Sequence, residues 1–219
     1  MIEIYPDEVL RYLGYQGAPA DGIVLQQIIN ATKELTNTMS PRSVTRKAAF
    51  HFPKKDTVEI DGVSFKSNQL FQHLNGCHSG VLFAATLGAP VDLLIQRYTV
   101  VDMSYAVILQ ACAAAAIESY CDECQAEIAA QAAKDGFFLR PRYSPGYGDF
   151  PLSYQKELLS LLNCQRRIGL TCTESNMLVP TKSVTAVIGF TKEKTGCHIA
   201  KCMFCNTKNC PFRKEDYDG

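Results

Sequence analysis

Two stretches of this chain carry residue types whose spacing could do chemistry. The first is Phe138-Leu139-Arg140-Pro141-Arg142-Tyr143-Ser144-Pro145-Gly146-Tyr147-Gly148-Asp149-Phe150-Pro151. Pro145-Gly146 marks a tight turn, because proline presets φ and glycine accepts positive φ. Arg142 stands just before the turn and offers a planar fork of N–H donors. Next to backbone donors freed by a glycine turn, such a fork suits a carboxylate. Tyr147 follows the turn and could cover a flat heterocycle. The plainer alternative is a connecting loop with a surface arginine. The second stretch is the tail, where Cys197, Cys202, Cys205 and Cys210 give C-x4-C-x2-C-x4-C. Thiolates are soft ligands, and two pairs at this spacing can wrap zinc or an iron–sulfur cluster. Spacing does not separate the two metals, and the alternative is a loose tail of free thiols.

A third stretch follows the arginine turn: Thr173-Glu174-Ser175-Asn176-Met177-Leu178-Val179-Pro180-Thr181-Lys182-Ser183-Val184. Arg-x-x-x-Gly-Tyr followed by Thr-Glu-Ser and then Pro-x-x-Ser-Val resembles the S-adenosylmethionine-binding reactivation domain of cobalamin-dependent methionine synthase. The resemblance is specific over residues 140–190 and looser before them, with an opening at Glu8-Val9-Leu10-Arg11-Tyr12-Leu13-Gly14-Tyr15. It does not cover residues 197–219. Pro141, Tyr143 and Asp149 depart from the family pattern.

The resemblance implies a stand-alone accessory subunit. It would bind S-adenosylmethionine for reductive methylation of cob(II)alamin on a partner, a cobalamin-binding methionine synthase or another corrinoid protein. An electron donor is implied as well. Arg142 would hold the ligand carboxylate, Pro145 and Gly146 would let backbone approach the ligand, and Tyr147 would lie by the adenosine or help position the methyl group. Glu174 and Ser175 would face the cobalamin or order the pocket, or would simply form an exposed turn. An acidic contact to the ligand amine, expected from the N-terminal part, has no residue assigned. The alternative function is an iron–sulfur electron-transfer protein, or a metal-stabilised docking module, serving a corrinoid methyltransferase.

No Ser/His/Asp order, phosphate loop or paired-carboxylate pattern stands out, so no catalytic residue is expected. A sulfonium leaves without acid or base help, which suits that absence. Cys121 and Cys124 share a helix face but read as small buried hydrophobes, as do Cys77, Cys112, Cys164 and Cys172. Met177 reads as core filler, and Lys182 and Ser183 as the start of a strand.

The elements that must position these residues follow from local patterns. Residues 6–13 and 21–37 read as helices, the second capped by Asp21. Residues 43–52 form a loose strand, and Asp61-Gly62 turns a hairpin between 57–60 and 63–65. Residues 80–88 read as a buried strand, 90–98 as a helix, and Asp102 caps a long helix to about residue 134. Its Ala111–Ile117 run is small enough to lie under a sheet. Strands at 137–143, 168–173 and 184–190 and a helix at 153–163 complete an α+β fold with a mostly antiparallel sheet. Residues 1–196 are expected to form the domain, with a helical part over about 1–40, and 197–219 a Cys-rich tail.

The bulk numbers fit that plan. The chain has 219 residues, 47% of them apolar, and formal net charge +0. One domain with a sizeable core follows. No global charge favours nucleic acid. No run of eighteen apolar residues or signal peptide occurs, so no membrane partner is expected. The ten cysteines then read as reduced thiols or ligands of a cytoplasmic protein.

Overall fold

The computed structural model describes residues 2–15 and 18–193. Helix α1 (Pro6–Tyr12) opens with Pro6 in its first turn, where a missing N–H costs nothing. Helix α2 (Gly22–Thr38) is capped by Asp21, whose Oδ1 accepts from the Val24 amide at 2.8 Å. Strand β1 (Arg42–Lys54) leads into the hairpin of β2 (Thr57–Ile60) and β3 (Val63–Lys66). Asp61 and Gly62 both take positive φ, 49° and 80°, as a two-residue turn matching the strand twist requires.

The short helix α3 (Asn68–His73), which no periodicity announced, is capped by the Ser67 hydroxyl. After it come β4 (Ser79–Thr86), α4 (Ala89–Val101) and α5 (Met103–Lys134). Strand β5 (Phe138–Leu139), α6 (Gln155–Leu162), α7 (Cys164–Ile168), β6 (Thr171–Cys172), β7 (Leu178–Val179) and β8 (Ser183–Thr191) complete the described chain.

The main sheet has the order β3-β2-β1-β4-β8-β5, every pair antiparallel. This is the expected α+β architecture. Strands β4 and β8 lie at its centre and are buried almost end to end, because both faces are covered. On one face Val81, Phe83, Ala85, Ala186 and Ile188 meet α1, α2, α4 and α5. On the other, Leu82, Ala84 and Val187 join Phe65, Phe150 and Leu158 in a second core under α3, α6 and α7.

Among the described residues, α5 is the one helix long and apolar enough to cross a membrane by length and composition. Here its Ala111, Cys112, Ala113, Ala115, Ala116 and Ile117 are buried inside the protein. Small side chains let α2, α4 and the sheet approach its axis closely, as the sequence suggested. Cys121 and Cys124 are buried on the same helix.

Three expectations change. The strand expected over 137–143 is only two residues long, joined later by an isolated bridge between Tyr143 and Val187. Pro141 has no amide proton to donate and interrupts the ladder. The strand expected over 168–173 begins instead as the end of α7. Asn163 and Gly169 take left-handed φ at either end of that helix, and only Thr171–Cys172 is extended. Met177 is 59% exposed rather than core.

Candidate functional site

Strand β8 joins the two motifs. Tyr143 of the first exchanges both backbone hydrogen bonds with Val187 at 3.0 and 2.8 Å, and the second motif runs directly into Ser183. Between β5 and that bridge, Arg140 N donates to Gly189 O at 2.8 Å. Pro141 O receives a hydrogen bond from His73 Nε2 at 2.8 Å. Burial lowers the His73 pKa below its ordinary value, with the Pro141 carbonyl pulling the other way, so the ring is neutral at pH 7 and donates.

This backbone path turns the Arg142 side chain under α5, where it is only 4% exposed. Its Nη1 donates to Gln125 Oε1 at 2.9 Å, and its Nη2 to Asp122 Oδ1 at 2.6 Å and Glu118 Oε2 at 3.3 Å. Positions 118, 122 and 125 share one face of an α-helix. Burial works against the guanidinium charge, but Cys121, Asp122 and Glu118 outweigh it and raise the Arg142 pKa. The carboxylates differ in access: Asp122 is 65% exposed and Glu118 32%. From the other side, α1 brings Tyr12 close to Glu118. Burial and then that carboxylate raise the phenol pKa, and Arg11 lies 4.5 Å from the Tyr12 ring centre.

The sequence did not point to Glu118, Asp122 and Gln125 as partners of Arg142. Both acidic groups around Arg142 come from α5. A signal was present: residues 103–117 carry no charge at all, and Glu118 begins the first charged positions of that helix.

Beyond Arg142 the chain makes a compact loop. Gly146 N donates to Phe150 O at 2.7 Å, Tyr147 N to Ser144 O at 3.1 Å, and Phe150 N to Tyr147 O at 2.9 Å. Gly146 takes φ 93°, which the turn needs and which a β-carbon would strain. Pro145 is buried, while Tyr147 is 43% exposed with its ring edge-on to Tyr143, centres 6.0 Å apart. Tyr143 lies in turn against His73 and Phe150. The structure therefore sets a buried cation with two carboxylates at one end of residues 142–147, and an aromatic group with an accessible tyrosine at the other.

Glu174 and Ser175 stand apart from this group. They occupy the exposed tip of the separate β6–β7 hairpin. Its hydrogen bonds are internal, Thr173 Oγ1 to Ser175 Oγ at 2.8 Å and Met177 N to Thr173 Oγ1 at 3.1 Å. Among the described residues, neither Glu174 nor Ser175 bonds to Arg142, Gly146 or Tyr147. The rest of this motif is stitched into the fold. Thr181 donates twice to Asp92, Lys182 Nζ reaches Gln110 O at 3.2 Å, and Ser183 Oγ donates to Thr86 Oγ1 at 2.8 Å. Lys182 and Ser183 thus hold strand β8 in place.

Cys197, Cys202, Cys205 and Cys210 lie outside the described residues. Among the described residues no cluster of three or more His, Cys, Asp or Glu could hold a metal ion. Cys112 and Cys164 are pushed up by burial to about 11 and about 12, as inert packing thiols are.

Comparison with known proteins gives three findings. A solved structure described as the crystal structure of the MetH reactivation domain bound to AdoHcy has the same fold. Its TM-score is 0.61 at 15% identity, over 86% of this chain and 77% of that one. No curated protein matches. The family model for the activation domain of vitamin B12 dependent methionine synthase matches residues 74–208. That span takes in both motifs and, beyond the reach anticipated from them, Cys197, Cys202 and Cys205. It covers more than half of the sequence, and the chain belongs to the vitamin B12 dependent methionine synthase activation-domain family.

Proposed function

We propose that this chain binds S-adenosylmethionine and presents it to cobalamin on a partner protein, so that cob(II)alamin is methylated reductively. The observation that carries this reading is the Arg142–Glu118–Asp122 group beside the Gly146-Tyr147 turn. An amino-acid zwitterion has one carboxylate and one ammonium a few bonds apart. A buried arginine next to a half-buried glutamate matches that pair, and family membership and an AdoHcy-bound structural neighbour support the same ligand.

In this reading the ligand carboxylate replaces Asp122 on the guanidinium. Asp122 is 65% exposed, so water takes up its charge when it swings away from the guanidinium. Glu118 takes the ammonium, and the flat adenosine lies along the Tyr147 side of the turn. A one-electron donor and the partner's corrin cobalt would supply the chemistry, taking the methyl group as the sulfonium becomes a neutral thioether. The residues here hold and orient the ligand; no proton has to move. Glu174 and Ser175, at an exposed hairpin tip, belong to the docking side toward the corrinoid partner. The four tail cysteines serve as ligands of zinc or an iron–sulfur cluster, in a protein we place in the cytoplasm.

Calorimetric titration with S-adenosylmethionine, beside the Arg142→Ala variant, tests this. Binding that the substitution abolishes upholds the assignment, and equal binding by the variant overturns it.

A further inference from the structure

Segment 66–73, which lies before the span matched by the family model, supports the motif loop at several points. Lys66 N donates to Tyr154 OH at 2.9 Å. Tyr143 OH donates to Gln69 Oε1 at 3.1 Å. His73 Nε2 donates to Pro141 O. The central tie is Asp149. Its Oδ1 accepts from Ser67 Oγ and from Gln69 N at 3.0 Å, and its Oδ2 from Asn68 N at 2.9 Å. These are amides that the first turn of α3 leaves unpaired. Burial works against the Asp149 charge, yet the bonds from Ser67, Gln69 and Asn68 outweigh it and keep its carboxyl below its ordinary range.

The approach is close. A β-carbon on Gly148, whose φ is 54°, would lie 1.7 Å from Gln69 Oε1, so a side chain there would strain the turn and push the end of Gln69 aside. Asp149 stands two residues after Tyr147 and immediately before Phe150, which closes the loop through Gly146 N. A carboxylate fixed on α3 therefore fixes the plane of the Gly146-Tyr147 turn. We infer that Asp149 is a positioning residue of this chain, bracing the Gly146-Tyr147 turn against α3 so that it is preformed for the cofactor.

The inference rests on the S-adenosylmethionine reading, and its test separates the two. Affinity for S-adenosylmethionine is measured by calorimetry for wild type, Asp149→Asn, Tyr147→Ala and the double variant. Amide hydrogen exchange at Gly146 is measured on the unliganded proteins. Asparagine keeps one carbonyl acceptor but loses the charge, so Asp149→Asn is expected to weaken binding about tenfold. If Asp149 acts through Tyr147, that penalty shrinks toward nothing in the Tyr147→Ala background. Gly146 exchange is expected to speed up at least tenfold while β4 and β8 amides stay protected. Unchanged affinity for Asp149→Asn, or the same penalty in both backgrounds, overturns the positioning role. If wild type binds no S-adenosylmethionine, the cofactor reading fails. Gly146 exchange then decides the brace alone, faster exchange upholding it and unchanged exchange refuting it.

Discussion

Replacing Glu118 with glutamine removes one charge from the face of α5 that holds Arg142, and its effect can be worked from the structure. Glu118 Oε2 lies 3.3 Å from Arg142 Nη2, and its side chain is 32% exposed. A unit-charge pair at about 4 Å is worth about 1 kcal/mol in bulk water and about 4 kcal/mol at a protein surface with an effective dielectric of 20. A half-buried carboxylate against a ligand ammonium falls between, at about 2 kcal/mol, or about thirtyfold in affinity. Folding should hardly notice. Arg142 keeps Asp122 and Gln125, so its buried charge is not left unpaired, and glutamine still offers a carbonyl acceptor.

Calorimetry with three ligands locates the contact. S-adenosylmethionine and S-adenosylhomocysteine share the ammonium, whereas methylthioadenosine lacks the amino-acid group. Glu118→Gln is expected to weaken the first two alike and leave the third unchanged. A loss confined to S-adenosylmethionine would place Glu118 at the sulfonium instead. Unchanged affinity for all three ligands, or an equal loss for all three, would show that Glu118 does not meet the ligand ammonium.

Further outcomes follow from the same geometry. The folded-state pKa of His73 is lowered, so the unfolded chain binds its proton first as pH falls. His73 therefore contributes stability that is full above its unfolded value of about 6.5 and is lost as pH falls through the folded pKa. Urea midpoints across that window are expected to fall for wild type and fall less for His73→Gln. Phe150 is 1% exposed and lies between Phe65, Tyr143 and Tyr154 beneath the turn. Phe150→Ala should cost about 3–5 kcal/mol in chemical denaturation. For the tail, elemental analysis of anaerobically purified protein should find zinc, or iron with acid-labile sulfide, and Cys202→Ser should lose it; a metal-free wild type contradicts the assignment.

What the sequence disclosed was local. Asp21 and Asp102 sit where a cap must sit, Asp61-Gly62 demands two positive φ angles, and β4 and β8 read as apolar runs because both of their faces are covered. Each signal is contained within a few residues. What stayed hidden depended on register between distant segments. Helix α3 is too short to show a period, and Asp149, which meets its first turn, is about eighty residues away in the chain. The partners of Arg142 are visible as a helix face only once α5 is known to lie over the motif strand. The run from Ile168 looked extended because its apolar residues are β-favouring. Left-handed Asn163 and Gly169 instead let Cys164 and Ile168 reach the second core from a helical turn. The arginine motif was legible as a fork suited to a carboxylate, but the α5 side chains that meet it, and the contact of Asp149 with α3, were not.

Titration of the wild-type protein and Arg142→Ala with S-adenosylmethionine shows whether Arg142 holds the cofactor. Binding by wild type that Arg142→Ala abolishes, with the variant still folded, is the predicted result. An Arg142→Ala protein that binds as tightly as wild type would place the ligand away from Arg142 and overturn the assignment.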